Sequence, residues 1–102
     1  MKIVIGTSPV HIFTIPLKKD AVKEVEITYH QEGKEIINKK TADCVITDNS
    51  VSATLTQEET FLFNSDLIVE VQLRVLSYGN EPFVSDIFTV RCVKCLFSEV
   101  LK

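Results

Sequence analysis

Cys92 and Cys95 form a lone Cys-x-x-Cys, the sharpest chemical motif in the chain. A structural zinc site takes four ligands, usually with a second pair at similar spacing. Cys44 stands alone, and His11 and His30 are 19 residues apart. A redox pair would sit at the start of a helix within a βαβ unit, whereas these cysteines follow a strand-like run near the carboxyl end. Free cysteine at such a place packs as a small hydrophobe, so no metal and no cofactor is expected. Nucleophilic catalysis asks for a histidine beside a serine, cysteine or threonine. His30 falls on the polar side of its run next to a turn, and His11 lies among Thr, Ser and Pro; both read as surface histidines. Three glycines, Gly6, Gly33 and Gly79, cannot build a phosphate loop. Asp43, Asp48, Asp66 and Asp86 are scattered, and no carboxylate spacing favours glycoside hydrolysis. The expectation is a protein that is not an enzyme.

The frame that would position any site is small. With 102 residues, 45% apolar and 25% charged, the composition is that of one soluble globular domain spanning 1–102, with a core large enough to need no staples. Disordered chains, collagens, coiled coils and disulfide scaffolds are excluded, the last also by an odd count of three cysteines. Eleven basic against fourteen acidic residues leave a net charge of −3. The basic doublets Lys18-Lys19 and Lys39-Lys40 both read as solvated loops, so no nucleic-acid partner is expected. The longest apolar runs fall far short of the roughly 20 residues that span a bilayer, so no membrane partner is expected. Residues 1–6 lack the apolar stretch of a secretory signal.

Period-two alternation dominates. Val25, Ile27 and Tyr29 oppose Glu24, Glu26, Thr28 and His30; Val51, Ala53 and Leu55 oppose Ser52 and Thr54; Leu67, Val69, Val71, Leu73 and Val75 oppose Ile68, Glu70, Gln72 and Arg74. These are strands with one buried and one wet face. Weaker strand candidates are 2–5, 10–17, 35–38, 44–47 and 83–93. The runs 10–17 and 83–93 carry apolar residues on both sides, as a central strand or one covered by a partner would. Pro9 and Pro16 remove backbone donors and fit an edge instead, so both readings of 10–17 stand. Glu32-Gly33, Asp48-Asn49 and Gly79-Asn80 supply hairpin turns. Thr56-Gln57-Glu58-Glu59 is a capping box, and it predicts one helical turn near 57–61 whose Phe61 or Phe63 plugs one end of the core. The expected fold class is all-β: an antiparallel Ig-like sandwich of about seven to nine strands with that single turn.

Three stretches together carry a resemblance: Gly6-Thr7-Ser8-Pro9 leading into His11-Ile12-Phe13-Thr14-Ile15-Pro16; Leu55-Thr56-Gln57-Glu58-Glu59-Thr60-Phe61-Leu62-Phe63 before Val69–Val75; and Ser85-Asp86-Ile87-Phe88-Thr89-Val90. Their order resembles short β-sandwich structural proteins of Firmicutes phages and prophages, and is similar to the amino-terminal domain of phage upper-baseplate proteins. The resemblance implies a structural or assembly role, at the baseplate, neck or tail, through contacts with other virion proteins. It implies residence in the bacterial cytoplasm during assembly, or in the virion, and it carries no catalytic residues. The interface candidates are Ile12 and, in the apolar tail, Phe97, Val100 and Leu101, with self-association into a homo-oligomer among the expected contacts. The rival expectation is a small-ligand or carbohydrate-binding β-sandwich module. Such a module relies on exposed aromatic platforms, and the chain has no tryptophan and only Tyr29 and Tyr78.

Overall fold

The computed structural model of the chain describes residues 2–85 and 87–96. Among them are nine strands: β1 (Lys2–Val4), β2 (Val10–Thr14), β3 (Val22–Gln31), β4 (Lys34–Lys40), β5 (Cys44–Thr47), β6 (Ser50–Thr54), β7 (Val69–Ser77), β8 (Pro82–Val84) and β9 (Phe88–Val93). One helical turn, α1 (Gln57–Thr60), lies between β6 and β7. The fold is all-β in two sheets. The larger runs β1-β9-β7-β3-β4 with β8 beside β7, and the smaller runs β2-β6-β5. The β1–β9 pairing is parallel, and all the others are antiparallel.

Alternation decides what each sheet buries. Val25, Ile27 and Tyr29 of β3 lie opposite Val75, Leu73 and Val71 of β7, and all six are buried. From the smaller sheet Phe13, Val51 and Ala53 enter the same apolar cluster. Removing each such aliphatic side chain from water contributes about 1.5–3 kcal/mol. On the outer face of the larger sheet Glu26 is paired across the ladder with both Lys40 and Arg74. The Asn38 amide and then the two cations hold the Glu26 carboxyl below its ordinary pKa. Exposed pairs of this kind add little stability.

The turns follow their chemistry. Glu32 and Gly33 both take positive φ, 49° and 77°, as a two-residue hairpin between right-twisting strands requires. Asn49 also has positive φ. Its amide donates to the Ile15 carbonyl and its N–H to the Leu17 carbonyl, and these bonds tie the β5–β6 turn to the end of the β2 segment.

The capping box forms as the sequence predicts. The Glu59 N–H donates to the Thr56 hydroxyl, and the Thr56 N–H donates to the Glu59 carboxylate at 2.9 Å. Phe63 is the plug: it is buried, with its ring edge-on to Tyr29 at 6.1 Å between centroids. Two sequence expectations are revised and one left open is decided. The larger sheet is mixed rather than wholly antiparallel, because β1 at its edge runs parallel to β9. The run 83–93 is two strands, because the ladder breaks at Ser85: its N–H still donates to the Leu73 carbonyl, but its hydroxyl, not its carbonyl, accepts from the Leu73 N–H. The run 10–17 is an edge strand of the smaller sheet, as its flanking prolines require.

Candidate functional site

Two places on this frame gather the residues that the sequence singled out. The first is internal. His11, on the inward side of β2, is 3% exposed, and its Nδ1 lies 2.6 Å from the Tyr29 hydroxyl of β3. The reading of His11 as a surface histidine is therefore corrected. Odd-numbered residues of β2 face the core with Phe13, and the histidine ring is carried in with them. Its Nε2 is buried without a hydrogen-bond partner among the described residues. Desolvation lowers the His11 pKa, so the ring is neutral and joins the two sheets through one hydrogen bond. Tyr29 is fully buried, and burial pushes its pKa up, with the neighbouring Cys44 and Glu59 adding to the shift. A tyrosine in this position gives no platform for a sugar. Tyr78 is exposed in the turn after β7.

The remaining polar groups around this centre also act as structure. The Lys39 ammonium donates to the Glu59 carboxylate at 2.7 Å and is largely covered, so Lys39 belongs to β4 and an ion pair rather than to a solvated loop. Burial alone would raise the Glu59 pKa, but the Lys39 hydrogen bond and the Thr56 backbone N–H outweigh it and leave the carboxyl below its ordinary value. Gln31 uses its whole amide to hold the loop after α1. Its Nε2 donates to the carbonyls of Asn64 and Leu67, and its Oε1 accepts from the Asn64 N–H. Cys44, Cys92 and Cys95 are free thiols. Cys92 is in the core, where desolvation raises its pKa, the reverse of the shift a thiolate nucleophile needs. Among the described residues no group of three potential metal ligands comes together.

The second place is the free edge of β2. The Ile15 N–H donates to the Asn49 carbonyl, and the Leu55 N–H donates to the Pro9 carbonyl. These two bonds set the phase of the β2–β6 ladder. Odd positions of β2 bond to β6, so the N–H and C=O of Val10, Ile12 and Thr14 point away from it and meet no backbone partner among the described residues. Compared with family models, curated proteins and solved structures, the chain matches none. Function has to be argued from this geometry.

Ile12 is 67% exposed. Beside it, between β2 and the β8–β9 side of the larger sheet, runs a groove of about 310 Å³ lined by Phe13, Val71, Leu73 and Phe88. It shares Thr14, Leu73 and Ser85 with a second groove of about 170 Å³ that continues past Pro16 and Val84. No described residue lining either groove is ionisable, in a chain that is 25% charged. Val84 and Phe88 are exposed at its lip.

Of the interface candidates read from the sequence, Ile12 is thus brought to an open edge, while Phe97, Val100 and Leu101 lie outside the described residues. Phe88 was missed as a surface feature, and Leu73 as part of the buried floor of the groove. The signal for Phe88 was the two-sided apolar character of 83–93, which marks a strand left partly uncovered.

No helix among the described residues is long and apolar enough to cross a membrane.

Proposed function

We propose that this chain is a non-enzymatic structural or assembly protein of a phage or prophage, built as an Ig-like β-sandwich and working through contacts with other virion proteins at a baseplate, neck or tail. The observation that carries the reading is the β2 edge at Ile12, unpaired among the described residues, with a groove that no described ionisable side chain lines. Soluble proteins commonly guard such edges with charge, proline or a covering segment; of these, β2 has prolines flanking its two ends, Pro9 and Pro16. β2 carries no charged side chain. The other edge of the smaller sheet, β5, is likewise uncharged, whereas β4 at an edge of the larger sheet carries Lys34, Glu35, Lys39 and Lys40. Of the side chains whose types could support catalysis, His11, Tyr29 and Cys92 are absorbed into the core. The sequence resemblance to phage structural proteins points the same way.

The test is co-purification of the chain with the products of the genes encoded beside it. A stoichiometric complex with a virion component is expected, and replacing Ile12 with lysine should weaken it. Light scattering that shows only monomer at high concentration, together with no capture of any virion protein, would sink the proposal.

A further inference from the structure

We infer that the β2 edge is a strand acceptor: it takes one extended, uncharged segment of another polypeptide, with a large apolar side chain at every second residue, as an added strand of the smaller sheet. This rests on the proposed contact role and names the device behind it. Three features fix the occupant. The first is the set of backbone groups at Val10, Ile12 and Thr14 that meet no partner strand among the described residues, which offers three N–H donors and three carbonyl acceptors in the phase of a strand ladder. The second is the groove that runs alongside that edge, from Phe88 past Leu73 to Val84. A strand paired to β2 lies over this groove, and alternate side chains of that strand point into it.

The third feature is charge. The lining has no ionisable group among the described residues, so a lysine or glutamate aimed into it would find no counter-ion among them to offset its desolvation. A segment with apolar residues in the inward phase meets no such penalty. The outward face beside the edge is equally neutral: Val10, Ile12 and Thr14 lie next to Thr54, Ser52 and Ser50. The described lining therefore favours an uncharged, extended partner, with specificity set by the size of the side chain that fills the 310 Å³ groove over Phe13 and Phe88.

The probe is a synthetic peptide, acetyl-Ser-Val-Thr-Leu-Thr-Val-Ser-amide, added to the full chain labelled with nitrogen-15. Strand addition predicts slowed hydrogen exchange at the amides of Val10, Ile12 and Thr14. It also predicts that methylating the peptide nitrogens of one phase weakens binding at least tenfold, while methylating the other phase leaves it unchanged. Phe88→Asp, at an exposed position, should weaken the peptide by a similar factor without unfolding the chain. Equal binding by both methylated peptides would mean a groove that takes side chains only, and would overturn the inference. So would unchanged exchange at the three amides at millimolar peptide, or protection of the same amides by self-association of the chain alone. A virion complex that survives both Ile12→Pro and Phe88→Asp would overturn strand addition while leaving the proposed role intact.

Discussion

At the residue scale, the His11–Tyr29 pair gives the clearest consequences. Tyr29→Phe keeps the ring's packing against Phe63 but strands His11 Nδ1 beside an already unpartnered Nε2. An unsatisfied buried polar atom costs about 1–3 kcal/mol, so a urea titration should show the midpoint falling with no change in slope. An unchanged midpoint would mean that the bond contributes nothing. The pH dependence follows from the direction of the His11 shift. Burial lowers the folded-state pKa below that of the unfolded chain, about 6.5. Above that value neither state holds the proton and the folded state has its full stability. As pH falls below it the unfolded chain takes up a proton that the folded chain refuses, and stability declines until the folded pKa is passed. Unfolding free energies at pH 7.5 and 5.5 should therefore differ, with His11→Gln removing most of the difference. Equal slopes for the two proteins would refute the assignment. None of this was legible in the neighbourhood of His11. The alternation of β2 places it inward with Phe13, but only the partner across the sheets shows that the ring is satisfied there.

At the element scale, α1 was readable from its capping box because both reciprocal bonds lie within four consecutive residues. Thr56→Ala removes the acceptor for the Glu59 N–H and should cost about 1 kcal/mol. Phe63→Ala, which empties the plug, should cost about 3–5 kcal/mol. Thermal melts of the two variants separate the contributions, and a smaller loss for Phe63→Ala than for Thr56→Ala would show that the turn, not the plug, closes the core. Glu59 links these effects to pH in a second window. Its folded pKa is lowered, so its contribution is complete above the unfolded value of about 4.3 and is lost as pH falls through the folded value, well below the His11 window. Strand boundaries were less legible. The break in 83–93 depends on the Ser85 hydroxyl replacing a backbone acceptor for Leu73, a long-range bond that no local pattern encodes.

At the scale of the whole molecule, the two sheets are unequal, with three strands in one against six in the other. The larger sheet is left with apolar surface at Val84, Ile87 and Phe88. Exposed apolar surface beside an open strand edge is a feature of contact sites and of aggregation-prone proteins alike. Ile12→Lys should leave the melting temperature within a degree or two, because the side chain is already exposed, while raising solubility and weakening partner binding. A large drop in melting temperature would place Ile12 in the fold rather than at a contact.

The sequence by itself determined which side of each long strand is buried, where the hairpins turn and where the helical turn begins. Each of these is a short-range property: side-chain alternation, positive φ at Glu32, Gly33 and Asn49, and one capping box. The tertiary structure decided the placement of 10–17 at an edge, the burial of His11 and the pairing of Lys39 with Glu59. It also opened the groove between β2 and Phe88. These depend on which strand lies across the core from which, and residues far apart in the chain settle that together.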